Sequence, residues 1–82
     1  MPTYLVVIEN AAHNFSAYSP DVPGCTATGK SIAETVKEMK SALEFYLEEM
    51  DVKPQPMGLN HYMNDDSFKK DSTDYVLQIE LN

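Results

Sequence analysis

The sequence has no arginine, no tryptophan, one cysteine and three glycines, and no apolar run of membrane-spanning length. Each absence excludes something. Phosphate backbones are gripped by clustered Lys and Arg. Here the lysines pair only as Lys37/Lys40 and Lys69/Lys70, so direct nucleic-acid binding is not expected. Cys25 stands alone, which forbids an internal disulfide and suits a reducing compartment. Met1 to Glu9 lacks the basic start and apolar core of a secretion signal. No stretch approaches the ~20 apolar residues of a membrane helix. A cytoplasmic protein is the expectation. Gly24, Gly29 and Gly58 are too dispersed to form a Gly-rich phosphate loop.

What is present is acid. Thirteen Asp and Glu against six Lys leave a net charge of −7. An acidic surface keeps a small protein soluble, and it also fits a basic protein partner. The 82 residues make one domain, 1–82. A chain of this size buries only about 60–65% of its unfolded surface. Self-association, as a homodimer or higher oligomer, is the leading way to add buried area.

One stretch organises the chain, Ala17 to Ser31, and it contains the run Tyr18-Ser19-Pro20-Asp21-Val22-Pro23-Gly24-Cys25. Two prolines fix φ and remove two backbone donors. Each pushes the residue before it toward extended geometry. Gly24 can take a positive φ that Val or Cys resists. A strand must therefore end near Tyr18, turn, and re-form at Cys25.

Before this turn, Tyr4 to Ile8 is apolar at five successive positions. An unbroken, β-branched run reads as a central strand covered on both faces. Asn14 to Tyr18 alternates and forms a second strand, with Phe15 and Ala17 on one face. Cys25 to Thr28 is a short third strand, apolar on its Cys25/Ala27 face. Ser31 and Glu34 make a capping box. A helix follows over Ile32 to Met50, with one stripe through Ile32, Val36, Met39, Leu43, Tyr46, Leu47 and Met50. Pro54 and Pro56 stop it. The connection 51–74 is irregular, with a short helical turn around Leu59, Tyr62 and Met63. Tyr75 to Leu81 alternates and forms the fourth strand.

The core thus comprises 3–50 and 75–81, in the order β-β-β-α-β. This is an α+β fold: an antiparallel meander with one long helix on the sheet. A single helical crossover predicts a fourth strand parallel to the first. The expected spatial order is 3-2-1-4.

No residue set makes an active site. Glu9 and Glu80 could meet on adjacent strands, but two-metal nuclease chemistry needs several carboxylates around ions ~4 Å apart. The middle of the first strand offers only Leu5 to Ile8. His13, Cys25 and His61 lack the short spacing and fourth ligand of structural zinc. Ser19, Ser31 and Ser67 have no His/Asp partners that can be assembled. Catalytic, metal and cofactor sites are all expected to be absent.

The acids at the helix end stand out. Glu48, Glu49 and Asp51 lie where the macrodipole disfavours negative charge by ~0.3–1 kcal/mol each. Something other than stability accounts for them. Glu44, Glu48, Glu49 and Asp51 are the candidate charged contacts of a partner surface, with Asp65, Asp66, Asp71 and Asp74 in the connection. Tyr46, Met50 and Tyr62 are its candidate apolar anchors.

Tyr4 to Glu9, then Phe15 to Cys25 with its Tyr-Ser-Pro-Asp-x-Pro-Gly-Cys run, then Thr28-Gly29 and the capped helix, resemble the HicB antitoxin family. The resemblance covers roughly Met1 to Pro56, and the last strand fits more loosely. It implies a partial ribonuclease H-like fold without that fold's nuclease residues, and a dimer or higher oligomer. It implies a partner too: a HicA-type toxin, a small basic ribonuclease that uses a histidine and whose RNA-binding face the antitoxin covers. Many members continue into a helix-turn-helix or ribbon-helix-helix domain that binds their operator. The chain given ends at Asn82, so operator binding is not expected of it. The alternative is a stand-alone oligomeric scaffold with no toxin to neutralise.

Overall fold

A computed structural model describes residues 3–65 and 74–81. Four strands form one sheet in the order β3-β2-β1-β4. They are β1 (Thr3–Asn10), β2 (Phe15–Tyr18), β3 (Thr26–Gly29) and β4 (Tyr75–Glu80). A long helix, α1 (Ile32–Glu48), lies over β2 and β3. A short helix, α2 (Leu59–Met63), interrupts the connection to β4.

β1 is central, and Tyr4, Leu5, Val6, Val7 and Ile8 are all buried. Its alternation divides them. Tyr4, Val6 and Ile8 face α1 and pack with Ala17, Met39, Leu43, Leu47, Ile79 and Leu81. Leu5 and Val7 point to the opposite face and are buried there within the single chain.

The turn after β2 is built as the prolines require. Val22 N–H donates to the Ser19 carbonyl at 3.2 Å, and Cys25 N–H to the Val22 carbonyl at 3.1 Å. Pro20 and Pro23 each occupy the second position of one of these successive turns, where φ near −65° is wanted. Gly24 follows at φ 89°, the left-handed value that a type II turn needs after proline. The main chain of β2 therefore leaves β1 after Tyr18, which is paired with Val7.

Side chains of the turn take over the interrupted ladder. The Leu5 N–H donates to Asp21 Oδ2 at 2.8 Å, and the Ser19 hydroxyl donates to the Leu5 carbonyl at 2.7 Å. Both main-chain groups of Leu5 are satisfied by residues of the Pro turn. The second carboxylate oxygen, Asp21 Oδ1, accepts Met57 N–H at 3.1 Å and the Tyr62 hydroxyl at 2.5 Å. A carboxylate is an acceptor only, which suits three converging donors. Nearby, the Tyr4 hydroxyl donates to the Pro54 carbonyl at 3.1 Å. Burial and the proximity of Asp21 push the Tyr62 and Tyr4 hydroxyls above the ordinary tyrosine value, so both stay protonated donors.

The helix begins as its cap residues dictate. Ser31 Oγ accepts Glu34 N–H at 3.0 Å, while the Glu34 carboxylate reaches back to Lys30 N–H at 3.3 Å. Met39, Leu43 and Leu47 are buried as the stripe predicts. Val36 is only half-buried, and Thr35 takes the inner position instead. Gly29 explains the shift. A Cβ there would lie 2.6 Å from Thr35 Oγ1 and 2.7 Å from its N. The bare glycine lets the first turn of α1 settle directly on β3. The Thr35 hydroxyl, being buried, donates to the Ser31 carbonyl at 2.7 Å. Cys25 is buried beneath the same helix, and desolvation raises its thiol pKa.

One expectation is corrected. β4 runs antiparallel to β1, not parallel, pairing Thr3 with Glu80 and Ile8 with Tyr75. A parallel strand would have to enter where α1 delivers the chain, at the end of the sheet where β1 begins. Pro54, Met57 and Tyr62 are held at that end by Tyr4 and Asp21. β4 instead starts beside Ile8, at the far end. Entry at that far end is what reverses the strand. Tyr75 has the parity of core residues Leu77 and Ile79 but is exposed, because α1 covers the β2–β3 half.

Two stability predictions follow from this packing. Leu43→Ala should lower the free energy of unfolding by about 2–5 kcal/mol, read from denaturant melts. Asp21→Asn replaces one acceptor with a donor that must face an N–H or the Tyr62 hydroxyl. It should cost about 1–3 kcal/mol and should increase hydrogen exchange at the Leu5 and Met57 amides. Wild-type protection at both amides in the variant would refute the bridging role of Asp21.

Candidate partner-binding surface

Glu44 and Glu48 are exposed on α1, Glu49 is exposed at its C-cap, and Asp51 is exposed just beyond it. The last turn of the helix holds no basic residue. The helix closes with Glu49 N–H on the Phe45 carbonyl and Met50 N–H on the Leu47 carbonyl, so Met50 falls outside the regular helix. Glu48, Glu49 and Asp51 thus occupy the negative end of the macrodipole with no compensating cation on that turn.

The three apolar candidates divide. Tyr46 is exposed on the outer side of α1. Met50 is half-buried and packs against the core. Tyr62 differs from expectation: its ring is buried and its hydroxyl is committed to Asp21. The geometry makes it a support of the connection and leaves it little surface for a partner. Asp65 and Asp74 are half-buried. Asp66 and Asp71 lie outside the described residues.

Other apolar side chains take the exposed positions. Phe45 stands beside Tyr46 and, with Thr26, Thr28 and Ser41, lines a shallow groove along the outer edge of β3. Val52, Met57, Leu59 and Met63 are exposed along the connection. Phe45 could have been flagged by its place off the apolar stripe. Leu59 and Met63 could have been flagged by their spacing of four on a helical turn. Tyr62 could not, since its partner Asp21 is 41 residues away.

Among the described residues the catalytic and metal candidates stand apart, and Ser67 lies outside the described residues. Glu80 is opposite Thr3, and Glu9 is six residues further along β1. At about 3.3 Å per residue they are ~20 Å apart along the strand. His13 is exposed in the β1–β2 loop, His61 sits on α2 at the other end of the sheet, and Cys25 is buried between. Among the described residues no three His, Cys, Asp or Glu side chains are placed to hold a metal ion. No described helix is long and apolar enough to cross a membrane.

Comparison with known proteins places this arrangement. A 14.9 kDa protein from the rep–hol intergenic region of Haemophilus phage HP1 is 29% identical over 70 residues, covering 80% of this chain and 53% of that protein. A UPF0150 protein of Helicobacter pylori is 36% identical over 45 residues, covering 55% of this chain and 62% of its own length. The chain therefore spans between half and two thirds of these relatives. The N-terminal domain of the Burkholderia pseudomallei antitoxin HicB has the same fold, with a TM-score of 0.76 over 98% of both chains at 13% identity. A chain of a HicA3–HicB3 toxin–antitoxin complex matches with a TM-score of 0.76 over 98% of both chains at 21% identity. The family model for the HicB-like antitoxin of bacterial toxin–antitoxin systems matches residues 4–82, which take in both helices and all of the sheet but Thr3. The chain belongs to the HicB-like antitoxin family.

Proposed function

We propose that this chain neutralises a small basic HicA-type toxin by covering the toxin's RNA-binding face. The observation that carries this reading is the family match across residues 4–82. The related fold in a HicA3–HicB3 complex supports it. The chemistry is that of a binding protein and not of an enzyme. A surface that grips RNA must be positive, and an acidic domain can occupy it by charge complementarity. The exposed acids at the end of α1, whose last turn holds no basic residue, supply that charge. Single exposed pairs contribute only ~0–1 kcal/mol each, so the effect is collective. Self-association of the small domain is part of the same reading.

The test is binding of the purified protein to the HicA-type toxin encoded beside its gene. Complex formation is expected, with an association rate that falls as salt passes the ~10 Å screening regime of 0.1 M. Replacing Glu48, Glu49 and Asp51 together by neutral residues should slow association at low salt and flatten that dependence. If the wild-type protein binds no such toxin, the scaffold reading replaces this one. Sedimentation of the protein alone at micromolar concentration should give a dimer or larger species; a pure monomer would remove self-association from the reading.

A further inference from the structure

The groups that hold the connection in place are not the groups it shows to solvent. Asp21 takes the main-chain N–H of Met57 and the hydroxyl of Tyr62, and Tyr4 takes the carbonyl of Pro54. With those contacts turned inward, the side chains of Met57, Leu59 and Met63 are 53%, 41% and 58% exposed. Leu59 and Met63 are one turn apart on α2 and share its outer side, while Tyr62 faces Asp21. A connection with no task could be slack. This one is tied to the central strand through a buried carboxylate, and it leaves three apolar side chains in water. Unbranched, polarisable methionines suit a surface that must fit another protein.

The same end of the sheet carries the acids. Glu48, Glu49 and Asp51 are exposed where α1 passes into this segment, and Lys53 is the one lysine of residues 48–65. An apolar centre with a charged rim is the anatomy of a protein–protein interface. We propose that Met57, Leu59 and Met63 are the apolar centre, and Glu48, Glu49 and Asp51 the rim, of a docking surface for a basic protein. That protein is the HicA-type toxin of the reading above, on which this inference rests. The two parts have different kinetic roles. Rim charge acts on the rate of encounter, whereas truncating a well-packed apolar centre acts on dissociation.

The experiment measures both rates between the full chain and the toxin, the latter carrying a replaced histidine so that it does not cleave RNA. Leu59→Ser with Met63→Ser should raise the dissociation rate about 10–100-fold, the range of lost hot-spot contacts. The association rate should stay within about twofold. The exposed positions should leave the melting temperature close to wild type. The pair Leu59→Met and Met63→Leu keeps an apolar surface and should bind like wild type. Dissociation of the serine pair at the wild-type rate overturns the docking surface while leaving the antitoxin reading intact. Failure of the wild-type protein to bind overturns both. If the serine pair breaks a wild-type dimer in sedimentation while toxin kinetics are unchanged, the ridge is a contact between copies of this chain, and the proposal is overturned.

Discussion

A strand cannot continue through proline without losing a donor, and β2 meets Pro20 after only four residues. β1 still needs a partner at Leu5, because a buried main-chain N–H and C=O left unpaired would cost more than the ladder contributes elsewhere. Ser19 and Asp21 supply that partner with a hydroxyl and a carboxylate. Once Asp21 is buried beside β1, its second oxygen also needs donors, and Met57 and Tyr62 provide them. The sheet, the Pro turn and the connection are therefore one hydrogen-bonded unit. Each part satisfies a group that another part has stranded.

This dependence separates the molecule into a fixed end and a displayed end of each element. α1 buries Met39, Leu43 and Leu47 and shows Glu44, Glu48 and Glu49. The connection buries Tyr62 and shows Leu59 and Met63. Acid and apolar surface come together where β1 begins, and the histidine in the β1–β2 loop is at the opposite end. A domain built this way displays charge and apolar surface together, and it belongs to the HicB-like antitoxin family.

Much of the fold was legible because it rests on local pattern. Five apolar residues in succession placed β1 at the centre, and the three- and four-residue steps placed Leu43 and Leu47 inward. Short alternating runs gave the other strands within a residue or so of their observed limits. The direction of β4 was not legible, because pattern does not fix the end of the sheet at which a strand begins. Val36 was misplaced for a different reason: the close approach at Gly29 rotates the burial toward Thr35, and that depends on two elements at once. On the candidate surface, exposure of the helix-end acids was legible from the helical period. The fate of Tyr62 was not, since it depends on a carboxylate supplied by a distant turn whose own role is to complete β1.

The reversed direction of β4 also sets how the fold responds to force. Thr3 and Glu80 face each other across the last pair of the sheet, so the two ends of the folded unit emerge side by side. Tension applied through both ends acts across the β1–β4 ladder and opens it one rung at a time, like a zipper. Two parallel strands with their ends at opposite poles would instead be loaded in shear, and all rungs would have to fail together. A domain with a tightly knotted turn at its heart can thus be stable in solution and still offer a low mechanical barrier to any machine that grips its ends.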